Sequence, residues 1–118
     1  GAYRNDGVDI QPTRDQSGNY DVGWLDTGEW LAYDITAPAT GTYRILIRAA
    51  TPSGDRGLHL ELDGQNVSGR VTIPWTGSWD NWVEVPVVLP IQAGRHVLRV
   101  VAETDRFNLN YLVISKLQ

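Results

Sequence analysis

The 118-residue chain has no cysteine and no methionine, and it carries one phenylalanine (Phe107) and one lysine (Lys116). Lack of cysteine excludes disulfides, thiolate zinc sites and cysteine nucleophiles, but leaves the compartment open, since many secreted bacterial proteins also do without it. Nine scattered arginines and that single lysine in a chain of net charge −4 form no basic cluster for a nucleic-acid backbone. No apolar run approaches the roughly 18 residues of a spanning helix, and the first residues lack the basic start and apolar stretch of a secretory signal. Nucleic acid and membrane are therefore not expected partners. Helical periodicity is missing as well: apolar residues do not recur at i, i+3, i+4 and i+7 over any sustained stretch.

What remains is β-forming. The length suits one domain that removes roughly two-thirds of its unfolded surface from water, enough for a core without covalent staples. Runs rich in β-branched, aromatic and aliphatic residues recur at 8–11, 29–36, 42–50, 58–62, 70–74, 82–89, 95–102 and 107–117. Turn clusters separate them: Ser17-Gly18-Asn19, Pro38, Gly41, Asp63-Gly64, Thr76-Gly77-Ser78 and Ala93-Gly94. Asp63-Gly64 reads as a tight hairpin, because glycine readily takes the positive φ such a turn needs. Many short strands at this spacing predict an all-β, two-sheet antiparallel β-sandwich of jelly-roll (galactose-binding-like) type, with residues 1–118 forming a single module.

Alternation assigns faces. Tyr43, Ile45 and Ile47 share one side of their strand and Arg44 and Arg48 the other, while Leu58, Leu60 and Leu62 oppose His59, Glu61 and Asp63. In 29–35 the apolar side is Leu31, Tyr33 and Ile35. Trp30 falls with Ala32 and Asp34 on the wet side.

Catalytic chemistry finds little support. Glycoside hydrolysis needs two carboxylates at a controlled separation across a sugar. Asp21, Asp26, Glu29, Asp34, Glu61, Asp80, Glu84 and Glu103 are available, but acids at strand edges and turns are usually solvating charges. His59 and His96 belong to no metal-ligand spacing and no nucleophile elbow. Asn5-Asp6-Gly7-Val8-Asp9 is rich in oxygen and could suit a hard cation, yet Asn-Asp-Gly is above all a turn and does not match an EF-hand loop. The aromatic excess, five tryptophans and five tyrosines, carries more. Trp24 follows a turn-rich segment, and Trp75 and Trp79 flank Thr76-Gly77-Ser78. Loop indoles of this kind either fold back over the sandwich end or form platforms on which the C–H face of a pyranose stacks.

Several blocks carry a resemblance: Val22-Gly23-Trp24-Leu25-Asp26-Thr27-Gly28-Glu29-Trp30-Leu31-Ala32-Tyr33, Gly1-Ala2-Tyr3-Arg4 through Val8-Asp9-Ile10, Thr76-Gly77-Ser78-Trp79-Asp80-Asn81-Trp82, Ala93-Gly94-Arg95-His96 and Phe107-Asn108-Leu109-Asn110-Tyr111. In this order and at this spacing the sequence resembles the family 6 carbohydrate-binding modules, β-sandwich domains of secreted polysaccharide-degrading enzymes. The resemblance implies a loop-end cleft in which a sugar lies between Trp24 and Trp79 while Asn108 bonds its hydroxyls. Gln11, where some members carry glutamate, and Arg14 are implied as further polar contacts. A second site is implied on a sheet face at Trp30 and Glu61. That face is expected to be weak or silent, since Val101 and Ala32 stand where some members have lysine and serine.

The family's structural calcium would fall near Asn110 and the backbone of Arg4. The chain opens inside the family pattern, without the usual first strand and its acidic ligands, so it reads as N-terminally truncated and its calcium site as weakened. The implied function is non-catalytic binding of an oligosaccharide or polysaccharide, with xylan, β-glucan and agarose-like galactan as candidates. The implied setting is secreted and extracellular, beside the catalytic domain of a parent glycoside hydrolase. The rival readings are a small glycoside hydrolase with paired carboxylates and a protein-interaction module with structural tryptophans.

Overall fold

The computed structural model describes residues 4–6, 9–12 and 24–117, with side chains from 25 to 117. In chain order the strands are β1 (Arg4–Asp6), β2 (Asp9–Pro12), β3 (Trp24–Leu25), β4 (Trp30–Ala37), β5 (Gly41–Ala50), β6 (Arg56–Leu62), β7 (Gln65–Asn66), β8 (Val71–Ile73), β9 (Val83–Ile91), β10 (Gly94–Ala102) and β11 (Phe107–Lys116). All eight expected strands are present, with ends shifted by no more than two residues. Short β1, β3 and β7 are additions: Asn5 and Asp6, expected in a turn, lie in β1, and Trp24, expected in a loop, opens β3.

Two sheets form the sandwich. The first runs β1-β11-β5-β9, with β3 also pairing β11; the second runs β2-β4-β10-β6-β7, with β8 also pairing β6. Pairing is antiparallel except between β1 and β11, which run parallel with Arg4 opposite Val113. Strand β5 holds one edge of β11 from Asn108 to Lys116, so β3 and β1 share the other edge at different heights. Strand β9 closes the far side of that sheet. Its Pro86 and Pro90 supply no amide hydrogens, which suits an edge strand and discourages further pairing.

The core follows the alternation. Tyr43, Ile45 and Ile47 from the first sheet meet Leu31, Tyr33, Ile35, Leu58, Leu60, Leu98 and Val100 from the second, all buried. Phe107, Leu109, Leu112 and Ile114 complete the layer from β11. The β6–β7 hairpin has Asp63 at φ 52° and Gly64 at φ 86°, the two consecutive positive values of a type I′ turn, with Leu62 opposite Gln65.

Candidate functional site

One end of the sandwich gathers the segment around β3, the β5–β6 connection (51–55), the loop from β8 to β9 (74–82) and the start of β11. Strand β3 sets its first link: Asn108 stands in register with Trp24 on one side and with Ala50 on the other. The side-chain amide of Asn108 then donates to the main-chain carbonyl of Trp79 at 2.9 Å. One asparagine thus ties β3, β11 and the 74–82 loop together. That bond uses one of the two amide hydrogens and does not engage the side-chain carbonyl oxygen. The side chain of Trp24 lies outside the described residues; Trp79 is half-buried.

The 74–82 loop is held from below. Buried Thr51 donates its N–H to the Thr76 hydroxyl at 2.9 Å, and its carbonyl accepts from the N–H groups of Thr76 and Gly77 at 3.2 and 3.1 Å. Asn81 closes the same turn by donating to the Thr76 carbonyl at 2.7 Å. Gly77, at φ 92°, takes the left-handed conformation this turn requires. The bonds to Thr51 join residues 25 or more positions apart, so no local pattern announced them; Thr-Gly-Ser at 76–78 was legible as a turn.

Gln11 pairs with Asp34 at the edge of the second sheet, and Arg14 lies outside the described residues. Trp30 and Glu61 do share the outer face of that sheet, on either side of β10, where Arg99 is in register with both Ala32 and Glu61. The guanidinium of Arg99 lies 4.2 Å from the centre of the Trp30 indole. Glu61 meets His59 Nε2 at 3.0 Å, and His59 Nδ1 meets Glu103 at 2.8 Å. A comparable stack covers part of the opposite sheet, where Arg48 lies 5.7 Å from Trp82 and 5.5 Å from Tyr111. Trp82 therefore belongs to that outer face. Sequence reading found none of these cation–π partners, which stand on neighbouring strands or in a loop remote in sequence.

Calcium requires six to eight oxygens at 2.3–2.6 Å. Asn110 sits where the β11–β5 register shifts between Leu109 and Tyr111, the kind of bulge that re-aims a side chain. Arg4 is opposite Val113, three residues along β11 from Asn110. Among the described residues no three His, Asp or Glu side chains are arranged to hold a metal ion. Asn110 and the Arg4 carbonyl would supply two of those oxygens, and no function is assigned through a calcium ion.

The sequence profile of the carbohydrate binding module (family 6) matches residues 2–116. The chain belongs to this family of non-catalytic domains. The module is 32% identical to the family 6 module CBM6cm-2 of Cellvibrio mixtus lichenase 5A, solved in complex with cellotriose, with a TM-score of 0.74 over 96% of this chain and 89% of that one. It is 31% identical, over 93% of its length, to the clotting factor G alpha subunit of Tachypleus tridentatus, and 31% identical, over 72% of its length, to the alpha-agarase of Alteromonas agarilytica. It spans only 17% and 6% of those two proteins. Carbohydrate binding without catalysis is thus the module's function, and a small hydrolase is not.

Proposed function

We propose that the module grips a polysaccharide at its loop end, with a sugar ring between Trp24 and Trp79 and its hydroxyls bonded by Asn108. The observation carrying this reading is the double linkage of Asn108, main-chain neighbour of Trp24 and side-chain partner of the Trp79 carbonyl. Gln11 and Arg14 are proposed as polar contacts from the segment leading to β3. The loop end is preferred over the Trp30 face because Arg99 already lies on the Trp30 indole and His59 engages Glu61.

The ligand class follows the relatives: the β-linked glucose chain held by the lichenase module, or the galactan cleaved by the agarase, with xylan as a third candidate. Two stacked rings and a few exposed hydrogen bonds give an affinity between about micromolar and millimolar. That is sufficient for a tethered module, which raises the local concentration of an attached enzyme at its substrate. We place the module outside the cell, appended to a glycoside hydrolase. Titration with xylo-, laminari- and neoagaro-oligosaccharides, followed by tryptophan fluorescence, tests the site. Quenching lost in Trp24→Ala and Trp79→Ala but kept in Trp30→Ala is the expected pattern; the reverse pattern moves the ligand to the sheet face.

A further inference from the structure

Trp75 is 61% exposed, more than any other large apolar side chain among the described residues. It is nevertheless fixed. Its indole N–H donates to the Pro52 carbonyl at 3.1 Å, and its main-chain N–H donates to Asp55 Oδ1 at 2.8 Å. The next residue, Thr76, is locked to buried Thr51. With its one polar atom bonded inside the protein, the ring presents apolar surface to water in a set orientation. A ligand that stacks there gains contact while the protein surrenders little side-chain freedom.

Its place on the loop gives the direction. The 74–82 loop leaves β8, which pairs with β6 of the second sheet, and enters β9 of the first. Trp75 stands at the start of this crossing and Trp79 four residues on, beside Asn108. Face-to-face sheets lie about 10 Å apart, and four residues reach at most about 14 Å. Within that reach the two indoles can serve adjacent rings of one chain. Polar groups flank the path: Asp55 at the Trp75 end, and Ser78 bonded to Asp80 at 2.9 Å between the loop's turn and its end.

We infer that Trp75 is an outer stacking subsite, so that the loop end holds an extended oligosaccharide across the sandwich. The inference rests on the loop-end reading proposed above. It implies that affinity rises with chain length beyond the unit held at Trp79, and that this gain belongs to Trp75. A partner protein would also cover an exposed indole, but would not grade its affinity by the number of sugar units.

Isothermal titration of the intact chain with xylo-, laminari- and neoagaro-oligosaccharides, from disaccharide to hexasaccharide, tests this. Trp75→Ala is expected to weaken hexasaccharide binding about tenfold, leaving the disaccharide within about twofold on the same stacking logic. Trp75→Phe, which keeps a ring but loses the bond to Pro52, should fall between. Unchanged melting temperatures establish that both variants are folded. Hexasaccharide affinity unaltered in Trp75→Ala, or lowered equally at every length, overturns the subsite, even where Trp79→Ala abolishes binding and so upholds the loop-end site. If the unmodified chain binds none of the three ladders, the loop-end reading falls and this inference with it.

Discussion

Asn108 and Trp79 lie 29 residues apart and are joined by one hydrogen bond of 2.9 Å from the asparagine amide to the tryptophan carbonyl. The bond fixes the height of the 74–82 loop over β11 and puts an amide beside an indole. Asn108→Ala should therefore weaken binding twice over, through a loosened Trp79 and through a lost ligand contact. About a tenfold fall in affinity is expected, on the scale of one or two hydrogen bonds, with the melting temperature lowered by only a few degrees. Calorimetric titration and a thermal melt read the two effects separately. Full affinity in the variant would remove Asn108 from the site.

Thr76 anchors the same loop from beneath. In Thr76→Val the N–H of buried Thr51 loses its acceptor at nearly constant volume, and a buried donor left without a partner costs about 1–3 kcal/mol. Denaturant unfolding should show that loss. Slower-exchanging amides at Thr76 and Gly77 should become fast as their bonds to the Thr51 carbonyl loosen.

Gly77 has open space around it, with nothing within 4 Å of an added Cβ, so a substitution there meets no clash. Its φ of 92° is the obstacle. Gly77→Ala is expected to cost about 1–3 kcal/mol in backbone strain and to displace Trp79, lowering sugar affinity more than Thr76→Val does. Gly57→Ala provides the contrast: its Cβ would meet the Arg70 guanidinium at 2.6 Å, but that is the end of an exposed flexible side chain that can move away. Gly57→Ala should leave binding unchanged.

A pH dependence follows from Asp63 and His96, whose side chains meet at 2.6 Å at the far end of the second sheet, with Asp34 and Arg95 lining the same shallow pocket. The hydrogen bond to His96 holds the Asp63 carboxyl below its ordinary 3.8, and the same bond raises His96 above 6.5. Asp63 then stabilises the fold above pH 3.8 and loses this effect as pH falls through its lowered value. His96 stabilises below pH 6.5 and loses the effect as pH rises through its raised value. The pair contributes fully only between those limits. Asp63→Asn keeps an acceptor for the Val97 N–H but removes the charge. Its melting temperature should fall furthest below that of the unmodified chain near pH 5, with the gap narrowing as pH falls below 3.8 or rises above 6.5. Solvent screening keeps the difference below about 1 kcal/mol.

Much of this was visible in the amino acids themselves, because strand periodicity and turn chemistry are local. Alternation in 42–50 and 58–62 separated core from surface side chains correctly, and Asp63-Gly64 named its own turn. The ordered blocks from Gly1 to Tyr111 identified the family, since spacing across the whole chain is itself a sequence property. What folding alone decided are the contacts between residues far apart in the chain. The Trp75 indole is pinned by a carbonyl 23 positions earlier, Arg99 covers Trp30 from the adjacent strand, and Asn108 reaches Trp79 across the sandwich end. A tryptophan's composition and neighbours say that it wants cover, but whether its polar edge is tied down and its face left open depends on which distant backbone atom arrives beside it.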